Sequence, residues 1–419
     1  MQISERIRAL ARQGEREMAD IFNDIDEIAR TGTEKVLDVF REERVSESMF
    51  APSTGYGYGD TGRDAVDRIA TKIFGAEAGF MRPAIQSGTH ALTIGLFALL
   101  RPGDVMLSVT GSPYDTLREV IGMDGANGDG SLADFGVRYD DVDFTKDGQF
   151  DYPAIAAKLA QHGDAVKVVF LQRSKGYLNR PTLTVAQIGE MVDFVRRTAK
   201  NHPYIVVDNC YGEFTEITEP TAVGADLIIG SLIKNAGGGM ADIGGYLCGT
   251  PRAVELAGNR LICPGVGLDA GASLGQNRNM LRGLFYAPHT VAQAMKTAHL
   301  AAYMFEKCGF AVSPRAMERR SDIIQTVSLG NREALCRFCA GIQSASPVDS
   351  HVTPEPWAMP GYADEVIMAA GAFVGGASIE LSADAPLRDP YTVFLQGGLT
   401  YESGRLGIMA ACELVTAQA

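Results

Sequence analysis

The sequence predicts an α/β protein built on a mainly parallel sheet with helices on both faces, followed by a smaller α+β domain at the C-terminus. From Gln86 onward, helical stretches alternate with short β-branched runs, which is the pattern of parallel strands joined by helices. Several of these runs end in polar or glycine-rich residues, at the strand ends where open α/β sheets place their ligands. After Tyr286 the pattern changes to one long helix and shorter strand-like runs.

The composition is that of a globular protein, because 46% of the 419 residues are hydrophobic and 21% are charged. A net charge of -13 gives no general attraction to nucleic acid or to anionic lipid, so we expect neither partner. The longest apolar run, Ala91 to Leu100, is about half of what a membrane helix needs, and the charged start is unlike a signal peptide. We therefore expect a cytoplasmic protein. Its seven cysteines, an odd number without regular spacing, favour reduced thiols.

The first part of the chain predicts a helical arm. From Ile3 to about Phe40, apolar residues recur at helical spacing among many charges, and we assign residues 1–49 to this arm. The segment MFAPSTGYGYGDTGRD that follows is rich in Gly, Ser and Tyr, and predicts an ordered loop long enough to be functional. A helix over Ala65 to Phe74 comes next.

The strands of the large domain are predicted from four apolar, β-branched runs. These are Val105 to Val109, Val166 to Leu171, Tyr204 to Asp208 and Asp226 to Gly230.

The C-terminal part predicts a long amphipathic helix over roughly His289 to Lys307, with strand-like runs around Ile323 to Leu329 and Ala377 to Leu381. We place a domain boundary where this pattern begins, which gives a large domain over residues 50–286 and a small one over residues 287–419. No long linker separates them, so we expect a wide interface between the two.

Three local patterns carry chemistry. In GSLIKNAGGG, Lys234 follows an apolar strand and precedes three glycines, which allow close approach of backbone or ligand. Taken alone, such a lysine is more often a solvated loop residue. In YIVVDNCYGEF, a strand runs directly into Asp208, 26 residues before the lysine. A strand, an acid, a helix, a strand and a lysine in this order bring both side chains to neighbouring strand ends.

An aspartate at that place can keep a heteroaromatic nitrogen protonated, although a lone Asp more often caps the next helix. In the third pattern, IQSGTHALTIGLFALL, the residues Ser87, Gly88 and Thr89 begin a strongly apolar helix. Free amide groups at a helix N-terminus, together with two hydroxyls, form a phosphate-binding cup, and the alternative is simple capping.

With these motifs in place, the sequence resembles the fold-type I enzymes that use pyridoxal 5′-phosphate. Within that class it is similar to the methionine γ-lyase-like or aluminium-resistance proteins, which are related to the lyases of Cys/Met metabolism. The resemblance covers roughly Phe50 to Met409, through STGYGYGDTGRD, QSGTHAL, GSPYDTL, LQRSKGY, VVDNCYGEF, GSLIKNAGGG and PYTVFLQGGLTYE. It implies a transferase-like large domain with a seven-stranded sheet.

The resemblance implies a catalytic role for three residues. Lys234 would hold pyridoxal 5′-phosphate as a Schiff base and then move protons between carbons of the substrate, with a pKa lowered by burial beside a cationic ring. Asp208 would pair with the pyridinium nitrogen of the cofactor. Tyr114, in GSPYDTL, would stack on the ring and could protonate a leaving group, whereas the simpler interpretation is a turn residue after Pro113.

Further binding residues follow from the same resemblance. Ser87, Gly88 and Thr89, with Ser231, would hold the phosphate, and Asn209 would orient Asp208. Arg388 would clamp the carboxylate of an amino-acid substrate, a task that suits a planar guanidinium. Two more positions, Arg173 and Ser174, fall where other members contact the ring oxygen, and His90 is expected to pack near the phosphate.

The loop before the first large-domain helix resembles the segment that reaches into the neighbouring subunit's site in these lyases. Tyr58 and Arg63 would contact the cofactor there, and Tyr56 the substrate. The expected assembly is therefore a homodimer or homotetramer with active sites at the subunit interface.

The reaction that the resemblance implies is γ-elimination from an amino acid with a γ leaving group, a methionine-like thioether or another group such as a halide. Alternatives on the same scaffold are β-elimination, as in a cystathionine β-lyase, and γ-replacement. An alternative of another class is a stress-response scaffold that retains the fold, although such a protein has no reason to keep both Lys234 and Asp208.

Two motif matches are interpreted as accidental. Gly57, Gly59 and Gly62 satisfy the dinucleotide pattern G-x-G-x-x-G, but no predicted strand precedes them and no acid lies about 20 residues further on. Cys336 and Cys339 form CRFC within a helical pattern without a second pair of ligands, so we expect helix-face thiols and no metal.

Overall fold

The protein begins with two helices that pack along the rest of the molecule, in a computed structural model that describes residues 2–359 and 364–417. Helix α1 (Glu5–Glu17) begins at Ser4, whose hydroxyl accepts a hydrogen bond from the N–H of Ile7, and α2 (Ala19–Glu42) follows almost at once. These helices confirm the helical pattern predicted from Ile3 to about Phe40, and the assignment of residues 1–49 to an arm stays a prediction.

A sheet of seven strands forms the large part of the fold. Its strands are β1 (Ala78–Arg82), β2 (Val105–Ser108), β3 (Arg138–Asp141), β4 (Val166–Gln172), β5 (Tyr204–Asp208), β6 (Leu227–Ser231) and β7 (Gly245–Gly249). Their order is β1-β7-β6-β5-β4-β2-β3, and all pairs are parallel except the two that β7 makes. The mainly parallel sheet is thereby confirmed.

Helices cover both faces of this sheet, which explains why its strands are almost continuous apolar runs. These helices are α3 (Thr61–Ile73), α4 (Gly88–Leu99), α5 (Asp115–Ile121), α6 (Tyr152–His162), α7 (Val185–Thr198) and α8 (Pro251–Leu261). The side chain of Asp60 caps α3, and Thr184 with Gln187 forms a capping box on α7. These caps fix where the two helices begin.

One long helix, α9 (Asn277–Lys307), connects the two parts of the fold. It begins twelve residues before the predicted His289, because Met280, Leu281, Leu284 and Ala287 already bury one face of it and Pro288 is accommodated inside. The predicted boundary between residues 286 and 287 falls within this helix, and the division into domains stays a prediction.

The C-terminal part contains a second, antiparallel sheet. Its strands are β8 (Ala311–Ser313), β9 (Gln325–Ser328), β10 (Trp357–Ala358), β11 (Glu365–Ala369), β12 (Ser382–Pro386) and β13 (Thr392–Gln396), in the order β10-β11-β12-β13-β9-β8. Helices α10 (Arg332–Ser344) and α11 (Tyr401–Thr416) pack on one face with Ala383, Ala385, Val393 and Leu395. Because strand side chains alternate, Ser382, Asp384 and Gln396 point to the opposite face.

The predicted strand over Ala377 to Leu381 is wrong, since the strand begins at Ser382. The carboxylate of Glu380 accepts hydrogen bonds from the N–H groups of Phe373 and Val374, at 2.8 and 3.0 Å. These bonds curl the segment into turns. The strand predicted around Ile323 to Leu329 is confirmed over Gln325–Ser328.

All seven cysteines are free thiols, and Cys336 and Cys339 lie in α10 as expected. Over residues 2–359 and 364–417, no helix combines the length and the apolar character that a bilayer crossing requires.

Candidate active site

Lys234 lies just beyond the end of β6, at the start of a short 3₁₀ turn over Asn235–Gly237. The glycines that follow pack against α9. A Cβ on Gly238 would lie 2.5 Å from the carbonyl oxygen of Gly283, and φ at Gly238 is +54°. Glycine is therefore needed to seat this turn on the helix and to fix the backbone of the lysine.

The structure brings Lys234 together with Asp208, which ends the neighbouring parallel strand β5. Asp208 is buried and Lys234 is half-buried. Burial raises the pKa of the Asp208 carboxyl, and the charge of Lys234 opposes that rise. Asp208 also accepts a hydrogen bond from the backbone N–H of Cys210 at 3.1 Å. The two residues that the sequence predicts as partners thus interact electrostatically across adjacent strand ends.

Lys234 is surrounded mainly by acidic and hydroxyl groups. Burial by itself lowers the pKa of its amine, but Cys210, Tyr211, Asp208 and Tyr114 raise it well above the usual value. This is opposite to the expected lowering, which presupposes a cationic ring beside the amine.

Tyr114 faces the same space from the start of α5. Its hydroxyl shares a hydrogen bond of 2.8 Å with Thr89, which in turn lies 3.1 Å from the hydroxyl of Thr116. Burial and then the charge of Asp208 raise the pKa of Tyr114, so its hydroxyl stays protonated at neutral pH. The structure therefore brings Tyr114, Lys234 and Asp208 together.

The N-terminus of α4 forms a cradle beside the lysine. A Cβ on Gly88 would lie 3.4 Å from Cys210 Sγ, 3.4 Å from Ser231 Cβ and 3.8 Å from Lys234 Nζ. The buried hydroxyl of Ser231 has no hydrogen-bond partner among the described residues, and neither have the N–H groups of Gly88 and Thr89. The Ser87 hydroxyl caps the helix by accepting from the N–H of His90.

These groups fit pyridoxal 5′-phosphate. The unpartnered Ser231 hydroxyl and the free amides at a helix N-terminus suit a phosphate. A buried carboxylate suits a protonated ring nitrogen, and an amine next to it suits the aldehyde. The residues present thus provide partners for the phosphate, the ring nitrogen and the aldehyde of the cofactor.

Asn209 and Arg173 belong to a separate hydrogen-bonded group around the turn after β5. The Asn209 amide donates to Glu219 at 3.0 Å and to the Tyr246 hydroxyl at 3.1 Å, and its oxygen accepts from Arg173 at 2.9 Å. Arg173 is also paired with Glu216 and Glu219. Both residues hold the turn after β5 through these contacts, and the expected roles of Asn209 toward Asp208 and of Arg173 toward the cofactor stay predictions.

Gln172, the residue before Arg173, is the neighbour of Asp208 in the sheet. It lies directly beside Asp208 in the register of β4 and β5, and its side-chain oxygen accepts from the N–H of Tyr114 at 3.1 Å. Ser174 contributes its carbonyl, which accepts from the Gln172 amide at 3.3 Å. Strand alternation after the apolar run was the signal for Gln172.

Two further residues near Lys234 were missed. The ring of Tyr211 lies under the amine, with 4.2 Å between Nζ and the ring centroid. Asp384, on β12 of the small sheet, is buried and interacts electrostatically with Lys234. The alternation Ser-Ala-Asp-Ala in β12 was a detectable signal for Asp384, because it marks a strand with one polar face.

The loop before α3 projects from the protein. Tyr56 and Tyr58 are 75% and 62% exposed and stack on each other, with 5.4 Å between ring centroids. Arg63 is buried, and its guanidinium donates to the carbonyls of Gly57 and Gly271 and pairs with Asp64. Arg63 therefore closes this loop within its own chain, and its expected cofactor contact stays a prediction.

Arg388 lies beyond β12, and its side chain is 49% exposed and paired with Asp364 at 3.2 Å. With Tyr177 and Phe394 it lines a cavity of about 280 Å³ whose lining does not include Lys234. The structure does not bring Arg388 together with the other site residues, and its role toward the substrate carboxylate stays a prediction.

The sequence is similar to known proteins over nearly its whole length. The sequence model of a family described as methionine gamma-lyase matches residues 7–416. The chain is 49% identical to the uncharacterized protein YnbB of Bacillus subtilis, over 98% of this chain and 96% of that protein.

Solved structures show the same similarity. A protein from Listeria monocytogenes, described provisionally as a cystathionine beta-lyase involved in aluminum resistance, is 47% identical, with a TM-score of 0.94 over 98% of this chain and all of that one. The pyridoxal-5′-phosphate-dependent protein YhfS of Escherichia coli shares the fold at 16% identity, with a TM-score of 0.59 over 92% of this chain and 95% of that one. The fold is thus that of the fold-type I enzymes.

Proposed function

The chain belongs to the methionine gamma-lyase family, and from this premise we propose that it is a carbon–sulfur lyase that eliminates the γ-substituent of an amino acid. For a methionine-like thioether, the products are a thiol, ammonia and a 2-oxo acid. The observation that carries the proposal is the meeting of the Lys234 amine with the Asp208 carboxylate at adjacent strand ends, beside an unpartnered Ser231 hydroxyl.

Pyridoxal 5′-phosphate is the proposed cofactor. When bound, it stabilises the negative charge that a carbon of the substrate acquires on losing a proton. Lys234 would hold its aldehyde, Asp208 its ring nitrogen, and the α4 N-terminus with Ser231 its phosphate. The ring of Tyr114 would stack on it.

The chain's own residues account for the proton transfers of a γ-elimination. Lys234 would accept the α-proton, release it, and then, as a neutral amine again, accept a proton from the β-carbon, so that it carries one transferred proton at a time. Tyr114 would protonate the departing sulfur, and two observations support this role: its raised pKa keeps the hydroxyl protonated, and a hydrogen bond with Thr89 orients it.

β-Elimination is the second candidate, supported by the provisional description of the Listeria protein as a cystathionine beta-lyase. It needs only the α-proton transfer to Lys234 and the protonation of a leaving group on the β-carbon. The two reactions therefore differ in which carbon bears the leaving group and use the same residues.

We further propose that the active unit is a homodimer or homotetramer in which the loop of one subunit completes the site of its neighbour. The exposed, stacked pair of Tyr56 and Tyr58 supports this proposal, because two tyrosines that project into solvent are suited to contact another protein surface.

The experiment is a comparison of wild type, Lys234→Ala and the control Lys146→Ala, whose lysine is exposed. Each protein is assayed for 2-oxo acid release from methionine, homocysteine, cystathionine and γ-halogenated analogues. We expect wild type and control to be yellow, to lose their visible absorption on borohydride treatment and to release 2-oxo acid, and Lys234→Ala to do none of these. A colourless wild-type protein that does not take up added cofactor would contradict the proposal.

A further inference from the structure

A group of hydrogen-bond acceptors lies on the face of the small sheet that is directed toward Lys234. Ser382 and Asp384 belong to β12 and Gln396 to β13, with Ser382 directly opposite Gln396 in the register. Their exposed fractions are 5%, 4% and 3%, so all three side chains are more than nine-tenths buried. We call these three residues the acceptor cluster.

One acceptor atom of each residue has no partner. Asp384 Oδ2 accepts from the Tyr177 hydroxyl at 2.5 Å and from the Gln396 amide at 2.6 Å. In contrast, Asp384 Oδ1, Gln396 Oε1 and Ser382 Oγ have no hydrogen bond within the part of the chain that the structure describes. Buried polar atoms in proteins are normally paired, so three unpaired acceptors on one face indicate a missing donor.

The negative charge of Asp384 also lacks a partner in the described part of the chain. Burial raises the pKa of Asp384 to about 6, and Lys234 is the one charged group among the described residues that lowers it. Because Lys234 is engaged with the cofactor and the reacting carbons in the proposed mechanism, no side chain remains to neutralise the carboxylate.

Space for a long substrate adjoins the cluster. Phe394 lies directly opposite Asp384 in the register of β12 and β13, and its ring packs edge-on against Tyr177 at 5.2 Å between centroids. Both rings line the cavity of about 280 Å³, together with Pro386, two residues beyond Asp384 on the same face of β12. The cavity is therefore separated from the acceptor cluster by Tyr177 and Phe394, which contact both, and no residue of the cluster lines it.

We propose that the acceptor cluster binds a protonated amine on the leaving group of the substrate. The inference rests on the proposed lyase function and names its substrate class, which is thioether amino acids with a second ammonium group beyond the sulfur. An ammonium has three N–H donors, one for each unpaired acceptor, and its charge complements Asp384. The methyl thioether of methionine has no donor and would leave all three acceptors unpaired, which such sites penalise strongly.

The test compares kcat/KM for cystathionine and for methionine in the holoenzyme and three variants. Asp384→Asn removes the charge without changing the shape, and Ser382→Ala removes a hydroxyl that has no partner to lose. Glu365→Gln is the control, a carboxylate on the same sheet that is exposed and paired with Arg332. We expect Asp384→Asn to lower kcat/KM for cystathionine roughly 10- to 100-fold, as expected for a hydrogen bond to a charged group, and to affect methionine far less. Ser382→Ala should act in the same direction but more weakly.

A second measurement does not depend on turnover. The Kd of a cystathionine analogue that lacks the α-amino group of the reacting half, and is therefore not turned over, is determined by calorimetry on the wild-type holoenzyme and on Asp384→Asn. We expect Asp384→Asn to bind this analogue roughly tenfold or more weakly.

The outcomes separate the two proposals. If wild type releases 2-oxo acid from both substrates and Asp384→Asn slows both equally, or if the Kd is unchanged, the amine-binding inference is overturned and the lyase proposal stands. If wild type releases product from no substrate, the lyase proposal fails and the inference fails with it.

Discussion

The ring of Tyr211 lies 4.2 Å from the amine of Lys234, and Tyr211 reaches this position from a left-handed backbone with φ of +72°. Bulky residues rarely adopt that conformation, which costs about 1 to 3 kcal/mol. The tyrosine hydroxyl donates to Ser378 at 3.1 Å and so ties the ring to the turn segment before β12. The strain thus places an aromatic face against the amine that the proposed reaction uses.

We therefore expect Tyr211→Phe and Tyr211→Leu to behave differently. Phenylalanine keeps the ring and loses one hydrogen bond, at a cost of about 1 kcal/mol of unfolding free energy. Leucine removes the aromatic face, which favours the ammonium form of Lys234, so the neutral amine should persist to lower pH. The measurement is the rate of cofactor uptake against pH, followed by absorbance. Identical pH profiles for the two variants would show that the ring does not act on the amine.

Gly88→Ala tests the phosphate cradle. The new methyl group would make ordinary contacts with Cys210, Ser231 and Lys234, so we expect the cofactor-free variant to unfold with unchanged or slightly higher free energy. The methyl would nevertheless occupy space beside the free amides, and cofactor affinity should fall about tenfold or more. Fluorescence titration measures the affinity and urea denaturation the stability.

The control for this variant is Gly375→Ala, since a Cβ on Gly375 meets nothing within 4 Å. Equal cofactor affinity in Gly88→Ala and in wild type would argue against the cradle.

Glu213 predicts a pH dependence of stability. Burial raises the pKa of its carboxyl from 4.5 to about 8, against the opposing hydrogen bond from the Tyr246 hydroxyl. The native state therefore binds this proton more tightly than the unfolded state. The resulting stabilisation is complete below about pH 4.5 and is lost as the pH rises to about 8, by at most about 1.4 kcal/mol per pH unit.

Glu213→Gln should remove that dependence, so the variant gains stability relative to wild type as the pH rises. Urea denaturation at several values between pH 5 and pH 8 measures the difference, with the exposed Glu365→Gln as the control. A constant difference between Glu213→Gln and wild type across this range would mean that the carboxyl is not protonated in the native state.

The exposed tyrosine pair predicts an effect on assembly. We expect wild type to have at least twice the 44.8 kDa mass of one chain in light scattering. Replacing Tyr56 and Tyr58 together by Ser should shift the protein toward the mass of one chain and weaken cofactor binding. Ile217→Ser, which changes another exposed apolar residue, is the control. A monomeric wild type would contradict the proposed shared site.

Much of the site could be predicted because it depends on short, local patterns. The apolar run ending at Asp208 coincides with strand β5 of the sheet. Ser87 caps α4, where small polar residues precede an apolar helix. Parallel neighbours then bring Asp208 and Lys234 to the same edge. Such features follow from strand and helix signals that lie within a few residues.

The parts that could not be predicted depend on contacts between distant segments. The left-handed backbone of Tyr211 is imposed by its surroundings, and the conformational preferences of tyrosine do not predict it. Asp384 comes near Lys234 only through contacts between segments far apart in the sequence, such as its hydrogen bond from Tyr177 after β4. The same holds for the curled segment before β12, where the Glu380 carboxylate overrides an apolar sequence typical of a strand.

Helix α9 gives the molecule an axis about which the small sheet could tilt. Before Pro288, Gly283 holds the helix against the turn that carries Lys234, and after Pro288 the helix carries the small sheet. Proline removes a backbone hydrogen bond, so bending costs least at that point. A tilt there would change the distance between Asp384 and Lys234. The backbone of Lys234 would stay in place, because it is held by the part of α9 before Pro288.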